Sequence, residues 1–181
     1  MFKSLVKEKV IARVSQWLAS FVIELNLCPF AKKEFNQNKI RFVVSDADTE
    51  ENLLLDLSDE LEFLQSNENT ETSLLIHPSV LQEFGRYNQF LDYADQLLRE
   101  LNMEGVFQIA SFHPDYQFAN TEQDDIENFT NRSPYPLLHL LREDSVERAV
   151  ANYENAAMIP DNNIALMQEL GKAALMNILE N

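Results

Sequence analysis

The feature that most constrains the fold is the alternation of short apolar runs with long connections. Three runs are rich in β-branched and aromatic residues, as strands are: residues 40–45 (IRFVVS), 73–77 (SLLIH) and 106–112 (VFQIASF). More than twenty residues separate each run from the next, and each connection contains a helical pattern. Connections of this length permit parallel pairing and right-handed crossovers. The sequence therefore predicts an α/β (or α+β) fold with a β-α-β-α-β core of three mainly parallel strands.

Helical periodicity is found in and around this core. Residues 4–25 predict a long amphipathic N-terminal helix, and residues 160–178 predict a C-terminal helix. A short polar helix is expected to end at Gln37, and Asp48 begins a capping-box pattern before the next helix. From Val80 to Leu101 apolar residues recur at alternating spacings of four and three, which is typical of a core-facing helix or, alternatively, of a coiled-coil seam.

Length, cysteine content and hydropathy favour one cytoplasmic domain. We expect a single domain over residues 1–181, which is long enough to bury a sizeable core. The lone cysteine, Cys28, excludes an internal disulfide framework and indicates a reducing compartment. The longest N-terminal apolar run, residues 17–23, is too short to cross a membrane.

Charge is distributed unevenly along the chain. The formal net charge is −16, yet residues 1–41 hold eight basic residues against three acidic ones. The rest of the chain repels nucleic acid and anionic membranes, so neither is expected as a partner. Ten acidic residues and no basic one lie between positions 46 and 71. Such a run is typical of a solvated face, and a docking surface for a protein partner is the alternative.

The most unusual residues lie between Val106 and Glu143. Here HPDYQF (113–118) follows the third predicted strand, and NRSPYP (131–136) precedes LLHLLRE (137–143). The last segment fits either a helix or a short strand, and we favour a helix.

Parallel strands would bring three polar turns to one edge of the sheet. His77-Pro78 and His113-Pro114-Asp115 would each close a strand there, beside Ser45 and Asp46. Open α/β sheets bind ligands at such an edge. We therefore predict His113, Asp115, His77 and Cys28 as catalytic candidates, with a carboxylate orienting a histidine and the thiol as a nucleophile. The structural alternative for Cys28, which its apolar neighbours favour, is a small buried hydrophobic residue.

The rare cations suggest recognition of an anion at the same edge. Arg132 and Ser133 offer a guanidinium fork beside a hydroxyl. The predicted substrate-binding residues are Arg132, Ser133, Tyr116, His139 and Arg142. Their structural alternatives are local ion pairs for the arginines, packing for Tyr116 and a half-buried structural role for His139.

No cofactor is predicted from the motifs. The histidines, Cys28 and Asp115 could supply ligands to zinc or a similar divalent ion, but none of them shows a short metal-binding spacing, so zinc is only an alternative. The three glycines, at positions 85, 105 and 171, are too far apart for a phosphate-binding loop.

Three segments in order carry a resemblance to a known family. NLCPFA (26–31), SFHPDYQF (111–118) and NRSPYP with LHLLRE (131–143) resemble the bacterial family called domain of unknown function 1415. The resemblance implies a single-domain bacterial cytoplasmic protein and transfers no activity. The function that the residues favour is a small-molecule enzyme or ligand-binding domain acting on an anionic metabolite at a cleft lined by His, Arg and Asp. The alternative is a non-catalytic interaction domain that uses its acidic surface or the Val80–Leu101 helix.

Overall fold

The computed structural model describes residues 2–180 and places four strands among α-helices. The strands are β1 (Ile40–Val44), β2 (Thr72–Ile76), β3 (Phe107–Phe112) and β4 (Leu137–Arg142). The α-helices are α1 (Phe2–Trp17), α2 (Ala31–Asn36), α3 (Glu50–Ser66), α4 (Phe84–Glu100), α5 (Glu143–Ala151), α6 (Ile159–Leu170) and α7 (Lys172–Glu180). A π-helical segment (Leu18–Ile23) extends α1, and two 3₁₀ helices cover Ile126–Asn131 and Ala156–Met158.

The four strands form one mixed sheet in the order β1-β2-β4-β3. β1 pairs with β2 in parallel, and β4 runs antiparallel to both β2 and β3. β1, β2 and β3 therefore all point the same way, as the long connections predict, with β4 inserted between two of them. The α+β class is confirmed.

The helix favoured for residues 137–143 is wrong, because this segment forms β4 in the interior of the sheet. Its run of leucines lacks the polar alternation of a half-exposed strand, since both faces of β4 are covered. Leu138 and Leu140 pack on one face, and Leu137 packs on the other. A strand covered on both faces has a nearly continuous apolar sequence, which resembles part of a buried helix.

Helices cover both faces of the sheet. On one face, α3 and α4 enclose a core with Leu75, Leu138 and Leu140. On the other face, α1 and its π-helical extension pack with α6 and α7 against Leu74, Ile76 and other strand residues. The apolar repeat of α4 is therefore core-facing: Tyr87, Phe90, Ala94 and Leu98 are all buried.

The helix predicted from Val80 begins later, at Phe84. Residues between Pro78 and Glu83 form a loop in which Leu81 has a left-handed backbone with φ of 57°. Glu83 is the N-cap, and its carboxylate accepts from the backbone N–H groups of Gly85 (2.7 Å) and Arg86 (3.0 Å).

Two other helix boundaries differ from the sequence prediction. The C-terminal helix is two helices, because Gly171 adopts φ of +77° between α6 and α7. Thr49 rather than Asp48 caps α3, with its hydroxyl accepting from the N–H of Asn52 at 3.2 Å. Asn26, just after the π-helical extension of α1, has a left-handed conformation with φ of 55°. Over the described residues, no helix has both the length and the apolar character required to cross a membrane.

Candidate functional site

The predicted site residues lie in two separate places. His77, His113, Asp115, Tyr116, Arg132 and Ser133 lie at or beside the edge of the sheet where β1, β2 and β3 end. We call His77, Tyr87, His113, Asp115 and Arg132 the strand-end cluster. Cys28 and His139 line a cavity against the sheet face that α1 covers. The single cleft predicted from the sequence is therefore divided in two.

Tyr87 of α4 is the centre of the strand-end cluster. Its ring is stacked on His77, with centroids 5.7 Å apart and an interplanar angle of 17°, and lies 5.1 Å from the ring of His113. All three side chains are fully buried. The Tyr87 hydroxyl donates to the carbonyl oxygen of Leu137 (2.8 Å) and accepts from the N–H of Phe112 (3.0 Å). It thereby links the end of β3 to the start of β4.

Both histidines of the cluster hold the loop that precedes α4. His77 Nδ1 lies 3.0 Å from the carbonyl oxygen of Val80, and His113 Nε2 lies 3.2 Å from that of Leu81. A carbonyl oxygen only accepts, so each ring nitrogen carries the proton. His113 Nδ1 is then an acceptor, and the N–H of Asp115 donates to it at 3.0 Å. These contacts fasten a loop whose Leu81 is in an unfavourable conformation for a branched side chain.

Burial keeps the two histidines neutral. It lowers the pKa of His77 to about 4, against a weaker opposing effect from the Val80 carbonyl. Burial also lowers the pKa of His113, and the charges of Asp115 and Glu83 offset this only in part. The unprotonated Nε2 of His77 is buried and has no hydrogen-bond partner. Neither ring lines the cavity on the sheet face.

Arg132 is engaged by its own surroundings. Its Nη2 donates to the carbonyl oxygen of Gln123 at 2.7 Å, and its guanidinium carbon lies 4.3 Å from the centre of the Phe129 ring. Burial lowers the pKa of Arg132, while the nearby charges of Asp115 and Asp124 raise it.

Ser133 and Tyr116 also make structural contacts. The buried hydroxyl of Ser133 donates to the carbonyl oxygen of Tyr135 at 2.7 Å. The ring of Tyr116 packs between Phe84 and Phe118, with centroid distances of 5.2 and 4.9 Å.

The cavity on the other face of the sheet has a volume of about 300 Å³, and we call it the sheet-face cavity. Strand residues form its floor, and residues of the helices and of the turn before α2 form its roof and walls. The floor includes Thr72, Leu74, Ala110, Phe112, His139 and Leu141; the roof and walls include Trp17, Leu18, Val22, Cys28, Phe30, Ala31, Glu34, Ser145, Val146 and Ala149. This volume lies at the lower end of the range for small-molecule sites.

Two buried polar atoms in the lining residues lack partners. They are Nε1 of Trp17 and Oε2 of Glu34. Buried polar atoms are nearly always hydrogen-bonded, because an unpaired one costs about 1–3 kcal/mol. The other carboxylate oxygen of Glu34 lies 3.3 Å from Lys33 Nζ. An apolar cavity with a few unsatisfied polar atoms is the arrangement expected of a ligand site.

His139 contributes an acceptor to the cavity floor. Thr72 donates its only hydroxyl proton to the carbonyl oxygen of Leu140 at 2.5 Å. The contact of 2.7 Å between Thr72 Oγ1 and His139 Nε2 must therefore be donated by the histidine. Nδ1 is then the unprotonated nitrogen. Burial lowers the pKa of His139 to about 4, so the ring is neutral at pH 7.

Cys28 lies in the wall between two cavities. It lines the sheet-face cavity and, with Val22 and Phe112, a neighbouring cavity of about 440 Å³. Burial raises the pKa of the Cys28 thiol, although the backbone at Phe30 and Ala31 opposes this. The environment thus disfavours the thiolate that nucleophilic chemistry would require.

Arg142 directs its guanidinium away from the sheet-face cavity. Its Nη2 donates to the carbonyl oxygens of Leu64 (2.6 Å), Asn67 (3.2 Å) and Thr70 (3.1 Å). These carbonyls lie at and beyond the C-terminal end of α3, where a cation is favoured. Backbone atoms, rather than the acidic side chains expected from the sequence, therefore hold this arginine.

Within residues 2–180, no group of three or more His, Cys, Asp or Glu side chains is placed to hold a metal ion. The histidines and Cys28 that form the pool of zinc ligands in the sequence are split between the strand-end cluster and the sheet-face cavity.

Three residues of these sites were not identified from the sequence. Tyr87 and Trp17 lie on the buried apolar faces of helices, and Glu34 belongs to a short polar helix. Trp17 is the only tryptophan in the chain, which was the one available signal. Helical periodicity identifies the buried face but does not indicate which polar atom on it lacks a partner.

The fold and the cavity define an α+β protein with a ligand-sized pocket against a mixed four-stranded sheet. The chain belongs to the family described as Protein of unknown function (DUF1415), whose model matches residues 9–177. No curated protein and no solved structure matches the chain.

Proposed function

We propose that this protein binds a small, largely apolar molecule in the sheet-face cavity. The observation that carries the proposal is the pair of unpartnered buried atoms, Trp17 Nε1 and Glu34 Oε2, in residues that line an otherwise apolar cavity. Both atoms are enclosed, so water or a ligand would relieve the cost of leaving them unpaired once a small side-chain shift opens them to the cavity. At roughly 30 Å³ per water molecule, the volume corresponds to on the order of ten non-hydrogen atoms.

Helix α5 provides the cover through which such a ligand would enter. It follows β4 without a loop, and none of its residues is fully buried. Val146 and Ala149 line the cavity from this helix. Beyond it, Tyr153 meets Phe30 edge to face, with centroids 5.6 Å apart. A helix with so few buried residues can move aside at a lower cost than α1.

The test uses Trp17 as a reporter, because it is the only tryptophan and it lines the cavity. 2-Phenylethanol is a neutral probe of suitable size. We expect it to change the emission of Trp17 and to raise the thermal unfolding temperature.

Ala149→Leu should fill part of the cavity and weaken probe binding by about tenfold or more, a loss of ~1.4 kcal/mol. Ala151→Leu, on the exposed side of the same helix, is the matched control and should bind like the wild type. Equal affinity of the probe for both variants would refute binding in this cavity.

The anionic metabolite expected at the strand ends remains a second proposal. Arg132 is its candidate cation, with Asp115 and His113 beside it. In its favour, the strand-end cluster does gather these groups at one edge of the sheet. Against it, the Arg132 Nη2 already donates to Gln123, so an anion would compete with that carbonyl. Replacing Arg132 by methionine would abolish phosphate or carboxylate binding if this site were the functional one.

The interaction domain suggested by the acidic surface and the Val80–Leu101 segment also remains a prediction. The buried apolar face of α4 removes the most obvious docking surface on that helix. Light scattering of the purified protein would test self-association.

A further inference from the structure

We propose that the ligand of the sheet-face cavity is a protonated amine on an apolar, preferably aromatic, body. This assignment rests on the proposed function and names the chemical class of its ligand. The ammonium group would bind the Glu34 carboxylate, and the apolar body would occupy the space between the sheet and α1.

The carboxylate of Glu34 supplies the charge. Oε2 is buried without a partner, whereas Oε1 contacts Lys33, whose side chain is mostly exposed. The Glu34 side chain is 18% exposed, so most of it is enclosed while part of its surface stays accessible. A small shift of the Glu34 side chain that opens Oε2 to the cavity would let an ammonium group form a charge-assisted hydrogen bond there, which is stronger than one between neutral groups.

Aromatic rings supply a second feature that suits a cation. Trp17, Phe30 and Phe112 line the cavity, and Trp17 meets Phe112 edge to face with centroids 5.5 Å apart. Aromatic faces attract ammonium groups, with tryptophan the strongest. The same rings offer packing surface to an aromatic body.

Among the described lining residues of the cavity, no positive charge is free to bind an anionic ligand. Arg142 is the only Lys or Arg among the described residues that line it, and three backbone carbonyls occupy its Nη2. His139 is neutral at pH 7 and offers an acceptor nitrogen rather than a charge. An anion would therefore meet the carboxylates of Glu34 and Glu71, with no arginine or lysine of the described lining free to balance its charge.

The Trp17 N–H adds a requirement of its own. It is a donor, so it favours a ligand that also carries one acceptor atom, such as a hydroxyl or carbonyl oxygen. Among amines with the same apolar body, an amino alcohol should bind more tightly than the simple amine.

The experiment compares three probes with the same ring and different head groups: 2-phenylethylamine, 2-phenylethanol and phenylacetate. Binding is measured at pH 7 by calorimetry and Trp17 emission. The amine should bind most tightly and phenylacetate most weakly. Glu34→Gln should weaken amine binding by about tenfold and leave alcohol binding within about twofold. Glu24→Gln, at an exposed position outside the cavity, is the matched control and should leave all three affinities unchanged.

The outcomes separate this inference from the proposed function. If the amine and the alcohol bind equally and Ala149→Leu weakens both, the cavity binds ligands but the amine assignment is wrong. The assignment is also overturned if phenylacetate binds best or if Glu34→Gln leaves amine binding unchanged. If Ala149→Leu affects no probe, both proposals fail. Thermal unfolding of each variant confirms that it is folded.

Discussion

Removing the buried hydroxyl of Tyr87 is expected to destabilise the folded protein. Tyr87→Phe keeps the ring that packs on His77 and His113 and deletes one oxygen. That oxygen bonds the carbonyl of Leu137 and the N–H of Phe112, at 2.8 and 3.0 Å. Because Tyr87 is fully buried, water is not available to replace these bonds without local opening.

The magnitude follows from the two backbone groups left without partners. Each unsatisfied buried group costs about 1–3 kcal/mol, and the removed hydroxyl no longer has to be desolvated, so we expect a net loss of about 3 kcal/mol. For a chain of 181 residues this corresponds to a fall of roughly 6–12 °C in unfolding temperature.

Urea unfolding followed by circular dichroism, with a calorimetric scan, measures the effect. Tyr93→Phe is the matched control, because Tyr93 lies on the same helix with 55% of its surface exposed. Its free energy of unfolding should stay within about 0.5 kcal/mol of the wild type. If Tyr87→Phe were equally mild, the hydroxyl would not be the link between β3 and β4.

Two further predictions concern stability. His77 and His139 have pKa values lowered to about 4 in the folded state, so the unfolded chain takes up more protons between pH 6.5 and 4. Stability should therefore fall as pH falls through this window, by about 2 kcal/mol per histidine at pH 5, and urea unfolding that does not change between pH 7 and 5 would contradict it. The buried Glu60 accepts from Arg41 Nε at 2.7 Å and from the Ser73 hydroxyl at 2.5 Å, so Glu60→Ala should lose about 2 kcal/mol in the same assay. The exposed neighbour Glu62 is its control, and equal effects of the two alanine substitutions would exclude a special role for Glu60.

The sequence was sufficient for the direction of three strands but not for the composition of the sheet. Long connections between apolar runs predicted that β1, β2 and β3 would point the same way, and they do. For β4 a helix was favoured over a short strand, because its sequence, LLHLLR, has no polar alternation. The start of α4 was placed too early, because the apolar spacing continues back to Val80. The backbone there is not helical: Leu81 has a positive φ, and α4 begins at Phe84. Apolar periodicity indicates which residues are buried, and a buried loop can continue the apolar spacing of the helix that follows it.

The proximity of the polar turns at the strand ends was predicted from the sequence, but the contacts made there were not. Parallel strand ends correctly placed His77 near His113, whereas the hydrogen bonds of both rings to loop carbonyls depend on a backbone path that no spacing encodes. Glu60 illustrates the same limit. It belongs to an acidic run that is otherwise typical of a solvated surface, yet it is buried beside Arg41 and Ser73.

The separation of the predicted cleft into two sites follows from the secondary structure of one segment. In a helix, His139 and Arg142 are three residues apart and would share a face, as a common binding wall requires. In a strand, an odd separation places them on opposite faces. β4 accordingly directs His139 to the cavity floor and the Arg142 guanidinium to the C-terminal end of α3. The arginine predicted to bind an anion instead binds backbone carbonyls at the end of α3, and the cavity lining contains a neutral histidine and the carboxylates of Glu34 and Glu71. The strand conformation of β4, which turns Arg142 away from the cavity, is the physical reason why we propose an amine there in place of the anion predicted from the sequence.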